Sequence, residues 1–393
     1  MTSFTGKLCA AALALCQPAA VIAQADEFDP RLQPVVQQLL QEGNRNFVLN
    51  HLRLGVQAME IGQPEVAARS FDEALGIITS IYAGSESAAR ARSLWIEEGQ
   101  KDFRGEPYER AMAFYYRGIL DLMNGEYDTA RSAFRAGLLQ DAFAEEEQHR
   151  ADFAMLLYLD GWSSFLLGDE SMAAESFAEA RILRPDLPLP AAGDNVLVIA
   201  ESGPSPRKLA DGVGHSKLVY RRGKRFTEQR AALVTADGPQ GLYPLEDIFW
   251  QASTRGGRAV DAILEGQLQF RNTTEGLGSV LTDASAAFTE SNNYYSSGGS
   301  SGTANVVGAV GIVALAFAAR AKPQADTRYW DNLPDAVHVM TRKLERDAQP
   351  EWGVRFLDRA GNPVAGLERE VDVHWDKRGN GLVWARSRYS IQP

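Results

Sequence analysis

The chain has 393 residues, 45% of them hydrophobic and 23% charged, with a formal net charge of −11. That is a globular composition long enough for two domains. Its acidic balance argues against nucleic acid as a partner, because such a partner needs lysine and arginine to displace counterions.

Residues 1–25 differ from the rest. Lys7 precedes an apolar run over residues 8–15, and Ala23-Gln24-Ala25 precedes the first acids, Asp26 and Glu27. A basic residue, a short apolar run and a small-residue site predict a secretory signal peptide cleaved after Ala25. The run is too short to stay in a membrane. Leu13-Ala14-Leu15-Cys16 offers a rival, lipidation at Cys16, but Leu15 is not the small residue that a lipoprotein box wants. Both cysteines, Cys9 and Cys16, lie in this segment. A chain cleaved after Ala25 then has no disulfide, thiol nucleophile or cysteine metal site. Charge splits the remainder: residues 26–200 carry 29 acids and 15 bases, residues 201–393 carry 22 and 24. Two differently built parts are expected.

An amphipathic helix is predicted over residues 30–43. A repeat follows it. Counted from Gly62, Gly125 and Gly168, the same offsets return Gly55, Gly118 and Gly161; Ala67, Ala130 and Ala173; and Phe71, Phe134 and Phe177. The next small position gives Ala74, Gly137 and Ala180, and Pro185 closes the third unit. Small residues on two helices let them approach closely, phenylalanine fills the gap, and glycine permits the turn. Three helical hairpins are therefore expected, near residues 48–76, 111–139 and 154–187. The spacing between units is irregular, so insertions are expected around residues 77–110, with a candidate helix at 86–95, and around residues 140–150.

This pattern resembles the tetratricopeptide repeat, over roughly residues 45–188. The resemblance implies a concave groove lined by the first helix of each unit. Its positions would be Leu49, Leu52, Val56 and Met59, then Met112, Tyr115, Ile119 and Leu122, then Met155, Tyr158, Trp162 and Phe165. All are apolar or aromatic, unlike the Lys, Arg and Asn that clamp a peptide carboxylate. A groove this apolar should be covered. A partner segment and the protein's own chain are both possible occupants.

Helical periodicity ends after Pro185. Residues 195–203 read as a buried strand, and residues 216–237 as two strands about a turn at Gly223. Residues 259–271 fit a strand or a short helix. A Ser/Gly loop over 284–302 leads into an uncharged Ala/Val/Gly-rich run at 303–320, read as an apolar helix buried against the protein, with membrane insertion as its rival. The C-terminal part predicts a turn at 358–361 and a hairpin about Asn380-Gly381. The expected class is α+β. The domains are a helical repeat at 26–190 and a β-rich domain at 191–393, built on an antiparallel sheet with helix 303–320 packed on it. Gly203, Pro206 and Lys208, with the later Ala325-Asp326-Thr327-Arg328-Tyr329-Trp330 and Leu333-Pro334, resemble motifs of an uncharacterised family of bacterial envelope proteins. Many members of that family look like lipoproteins.

Chemistry-bearing patterns are sparse. His51, His149, His215, His338 and His374 form no metal-ligand spacing. Gly298-Gly299-Ser300-Ser301-Gly302 fits a nucleophile elbow only in letters, since a polar loop precedes it. Residues 145–150 lack the spacing of a calcium loop. Residues 220–225, Tyr-Arg-Arg-Gly-Lys-Arg, are the densest basic run and could meet anionic headgroups. Asp326 and Arg328 fit a structural ion pair. The expected protein is exported to the periplasm or envelope, non-enzymatic and without cofactor or metal. It would bind envelope proteins through the groove face, centred on Tyr115, Tyr158 and Trp162. A membrane-surface assembly factor and a hydrolase acting on an envelope polymer are the alternatives.

Overall fold

The computed structural model describes residues 28–80, 102–141, 152–211, 217–254 and 326–391. The predicted signal peptide, the candidate helix at 86–95, most of 140–150, the 259–271 segment, the 284–302 loop and the 303–320 helix lie outside these residues, as do His149, His215 and the Gly298–Gly302 pattern.

The described part is mixed, helices first and sheets after. A 3-10 turn at Pro30–Leu32 leads into α1 (Gln33–Glu42). Three antiparallel pairs follow: α2 (Phe47–Glu60) with α3 (Pro64–Ser80), α4 (Pro107–Met123) with α5 (Tyr127–Asp141), and α6 (Ala154–Leu167) with α7 (Glu170–Leu183). Each hairpin repeats one contact. A Cβ added at Gly55 would stand 2.6 Å from the Phe71 ring, and one at Gly161 would stand 2.7 Å from Phe177; Gly118 faces Phe134 in the same way. The small residue is therefore required by the ring from the second helix. Proline at the first helical position of α4 fits the missing N–H of a helix start.

Eleven strands among the described residues form three sheets. β1 (Val196–Ser202) is central to a five-stranded sheet. It pairs in parallel with β11 (Gly381–Arg386) on one side and antiparallel with β7 (Ala336–Arg342) on the other. β10 (His374–Trp375) and β6 (Tyr243–Asp247) are its edges. A four-stranded antiparallel sheet runs β5 (Gly238–Gly241), β4 (Arg230–Thr235), β8 (Trp352–Leu357), β9 (Pro363–Val371). β2 (Arg207–Asp211) and β3 (Lys217–Arg221) make a small sheet of their own, and a short helix, α8 (Ile248–Thr254), follows β6.

The layers are helices, five-stranded sheet, four-stranded sheet. β1 is buried at all seven positions because both its faces are covered. Leu197 and Ile199 join the core that runs through the helices, whereas Val196, Val198 and Ala200 join the core between the two sheets. That alternation is the period of two along a strand. The change at residue 190 is thus a change of architecture without a break in the core.

Two expectations need correction. The main sheet is mixed, because the last strand returns beside the first in parallel. The strands flanking Gly223 do not form a hairpin: β3 pairs with β2 and β4 with β8. Gly223 instead lies against Pro204, where a side chain would meet the Pro204 carbonyl oxygen at 2.8 Å. The predicted turn at 358–361 is present between β8 and β9. β10 and β11 do pair, but their turn spans Asp376–Asn380, and Gly381 is the first residue of β11 and not part of the turn.

Candidate functional site

The expected groove is closed from within. Met112, Tyr115 and Ile119 on α4, with Met155, Tyr158 and Trp162 on α6, are at most 1% exposed. Phe165 is partly buried and stacks on Trp162 with centroids 5.5 Å apart. Leu49, Leu52, Val56, Met59 and Leu122 are buried as well. An open surface for a partner segment is therefore not what these residues make. They belong to the core shared with the five-stranded sheet.

The sheet contributes charge to that core. Glu201 sits on β1 at the position that alternation turns toward the helices. Tyr115 donates to its Oε1 at 3.0 Å and Tyr116 to its Oε2 at 2.8 Å. The Trp384 indole of β11 donates to Oε1 at 3.0 Å, and the Arg386 Nε lies 3.0 Å from Oε2. Arg386 also pairs with Glu60 at the end of α2. Glu60 in turn accepts the Ser390 N–H at 2.8 Å and the Ile391 N–H at 3.3 Å. All three charged side chains are at most 4% exposed. Burial works against the charge on Arg386, but Tyr116, Glu201 and Glu60 outweigh it and hold its pKa above the ordinary value. Burial and then Glu201 raise both tyrosines well above theirs. Tyr116 further stacks on Phe71, with centroids 5.6 Å apart. A buried charge persists only when paired and hydrogen-bonded, and this cluster meets that condition.

A second cluster sits at the start of α4. Glu106 and Glu109 form a capping box there. Glu106 pairs with Lys208 of β2, both side chains at most 3% exposed. Glu109 accepts the Glu106 N–H at 2.7 Å and the Trp330 N–H at 2.6 Å. Burial pushes Glu109 up to about 7, against the opposing pull of Lys208. Ser205 donates to the Trp330 carbonyl at 2.8 Å. The two motifs read from the sequence, around Gly203–Lys208 and Asp326–Pro334, thus meet each other and clamp one helix end. The Asp326–Arg328 pair is present at 2.8 Å, and Arg328 also reaches Asn46 at 2.8 Å.

A third cluster holds α6. Glu246 of β6 accepts the Met155 N–H at 3.1 Å and also takes Gln251 and Arg184, each at 3.2 Å. Burial raises it to about 7. Each helical pair is therefore tied to the sheets: Glu60 in the first, Tyr115, Tyr116, Glu106 and Glu109 in the second, and the start of α6 in the third. Sequence reading found the apolar face and missed these carboxylates. Alternation along β1 was the available signal for Glu201, since it continues the inward series of Leu197 and Ile199.

For chemistry, one pair stands out. The Ser202 Oγ and His338 Nε2 are 2.8 Å apart, on neighbouring strands. Both are at most 1% exposed, burial lowers His338 to about 4, and its Nδ1 has no hydrogen-bond partner among the described residues. A working serine–histidine pair needs a group that orients the histidine and a route for substrate; among the described residues nothing accepts from or donates to His338 Nδ1, and both side chains are buried. His51 is half-buried, packs against the Phe47 ring and is likewise lowered to about 4 by desolvation, while His374 is exposed on β10. Among the described residues no group of three or more His, Cys, Asp or Glu is placed to hold a metal. A surface cleft of about 560 Å³ opens between α1, α2 and the tail, with Arg31, Arg53, Gln57, Asp331, Ser390 and Ile391 on its walls. Its arginines are already matched, Arg31 to Asp29 and Arg53 to Asp331.

No family model and no curated protein matches the chain. No described helix is long and apolar enough to cross a membrane.

Proposed function

We propose that the protein is an exported, non-enzymatic interaction protein of the Gram-negative cell envelope, a rigid frame built on tetratricopeptide-like hairpins. The Glu201 cluster supports this reading best. It fills the face that such a repeat offers to a partner, so the array serves as an internal scaffold for the sheets. Partners then meet the outside of the frame, where Ile182 is 79% exposed and Leu139 57%. The acidic outer helices repel nonspecific anionic partners.

A photo-crosslinking residue placed at single positions in the full-length chain tests this. Adducts to envelope proteins are expected from Ile182 or Leu139 and none from Tyr115 or Trp162. Adducts from Tyr115 or Trp162 in a folded protein would restore the open groove and end the scaffold reading. Fractionation, with the mature N-terminus read by mass spectrometry, tests the export step. A chain retained in the cytoplasm with residues 1–25 intact contradicts it.

A further inference from the structure

The small sheet carries an uncompensated surface. In its register Arg207 stands directly opposite Arg221, and Leu209 opposite Val219. Lys208, Leu218 and Tyr220 turn inward and are buried. Arg207, Leu209, Val219 and Arg221 therefore share the outer face, where Leu209 is 37% exposed. Like charges directly opposite each other destabilise a strand pair. The guanidinium hydrogen bonds of both go to main-chain carbonyls, Arg207 to Arg222 and Arg221 to Tyr220. No ion pair of either is found among the described residues.

The cations continue beyond the strand. Lys224 and Arg225 are exposed, and Arg225 holds a left-handed backbone at φ 57°. Arg222, between them and β3, is instead neutralised by Asp247 and Asp335. Its guanidinium lies 4.6 Å over the Phe249 ring, which fixes α8 beside β3. The next residue of α8, Trp250, is 49% exposed. This corner of a chain of charge −11 thus holds Arg207, Arg221 and the exposed Leu209 on one face of the small sheet, Lys224 and Arg225 just after its second strand, and the half-exposed Trp250 on the helix packed beside that strand.

We propose that this corner docks on the anionic headgroup surface of a phospholipid bilayer. Cations near such a surface are attracted within a Debye length. Tryptophan settles at the level of the headgroups. Charge complementarity also sets the orientation: the acidic helical half is repelled while the basic corner is drawn in. The contact is peripheral, requires no inserted helix, and stands whether or not the scaffold reading holds.

Sedimentation of the full mature chain with vesicles tests it. Binding is expected to phosphatidylglycerol-containing vesicles, weakening as salt rises, and not to pure phosphatidylcholine. Each cation near an anionic surface contributes about fivefold, so R221Q with K224Q should lower partitioning about 25-fold. Trp250→Ala should lower it without changing the salt slope. Arg346→Gln removes one charge at a remote exposed position and should lower it no more than its loss of net charge requires, less than either patch variant. Thermal melting of every variant separates weakened binding from unfolding. Should the double variant not fold, Lys224→Glu, outside any strand, gives the same reading. No binding at low salt, equal losses in the remote and patch variants, or binding to soluble heparin but not to vesicles would each overturn the assignment.

Discussion

Arg386 lies between two buried carboxylates, Glu60 and Glu201, and balances them alone of the described cations. Removing one partner of a buried pair leaves the other charge unsolvated, a loss of about 3–5 kcal/mol. Arg386→Met is therefore expected to destabilise far more than Tyr115→Phe, which deletes one hydrogen bond and costs about 1–3 kcal/mol. Urea denaturation of both variants gives the ranking, and equal losses would contradict it. The buried titratable groups also predict a pH profile. Glu109 and Glu246 have folded pKa values near 7 against an ordinary 4.5, so their contribution is fully present below 4.5 and is lost as pH rises through 7. His51 and His338 are lowered to about 4 from 6.5, so theirs is present above 6.5 and is lost as pH falls through 4. The two sets oppose each other below pH 6.5, and above it only the carboxyls act. Unfolding free energy should therefore decline from pH 6.5 to 8, and Glu246→Gln should flatten that decline. An unchanged slope in the variant would assign the decline elsewhere.

At the scale of elements, the hairpins turn on the glycine–phenylalanine contact. Gly118→Ala and Gly161→Ala push a methyl into Phe134 and Phe177, and overpacking of this kind costs about 1–3 kcal/mol. Phe134→Leu should relieve part of the Gly118→Ala penalty. A double-mutant cycle that finds the two changes additive would remove this contact as the reason for the repeat. The hairpins were legible in the sequence because their signal is local: a small residue, a turn and a ring at fixed offsets within one pair of helices. β1 was legible for a similar reason, as a continuous apolar run. The parallel partnership of β1 with β11 was not, because nothing near residue 196 specifies a strand almost two hundred residues away. The inward face was read from Tyr115, Tyr158 and Trp162, but its occupant was not. Arg386 looks like a surface charge until the strands beside it are known. Lys208 looked like part of a motif, and its meaning became clear only once Glu106 was found opposite it.

Across the whole molecule the helices and the five-stranded sheet share one core, with ties from all three helical pairs. A single cooperative unfolding transition is expected for these layers, with calorimetric and van't Hoff enthalpies in agreement. Two separated transitions, one helical and one sheet-like, would show that the layers fold apart. Trp162→Ala belongs to the same test: at 1% exposure it should lower stability by about 3–5 kcal/mol. A variant that melts like the unaltered protein would place Trp162 on an accessible surface.

The parallel pairing of β11 with β1 has a consequence for how the chain is made. Synthesis runs from the N-terminus, so the aromatic face of the hairpins and both Glu60 and Glu201 exist long before Arg386 does. Until β11 and its Arg386 arrive, the nascent protein holds a sticky surface and two carboxylates without their cation. A polypeptide built this way cannot mature segment by segment. It must either be kept unfolded until it is complete, as translocation across a membrane requires, or be shielded by a chaperone. A stop codon at or before position 386 would then remove the one cation that the two carboxylates share.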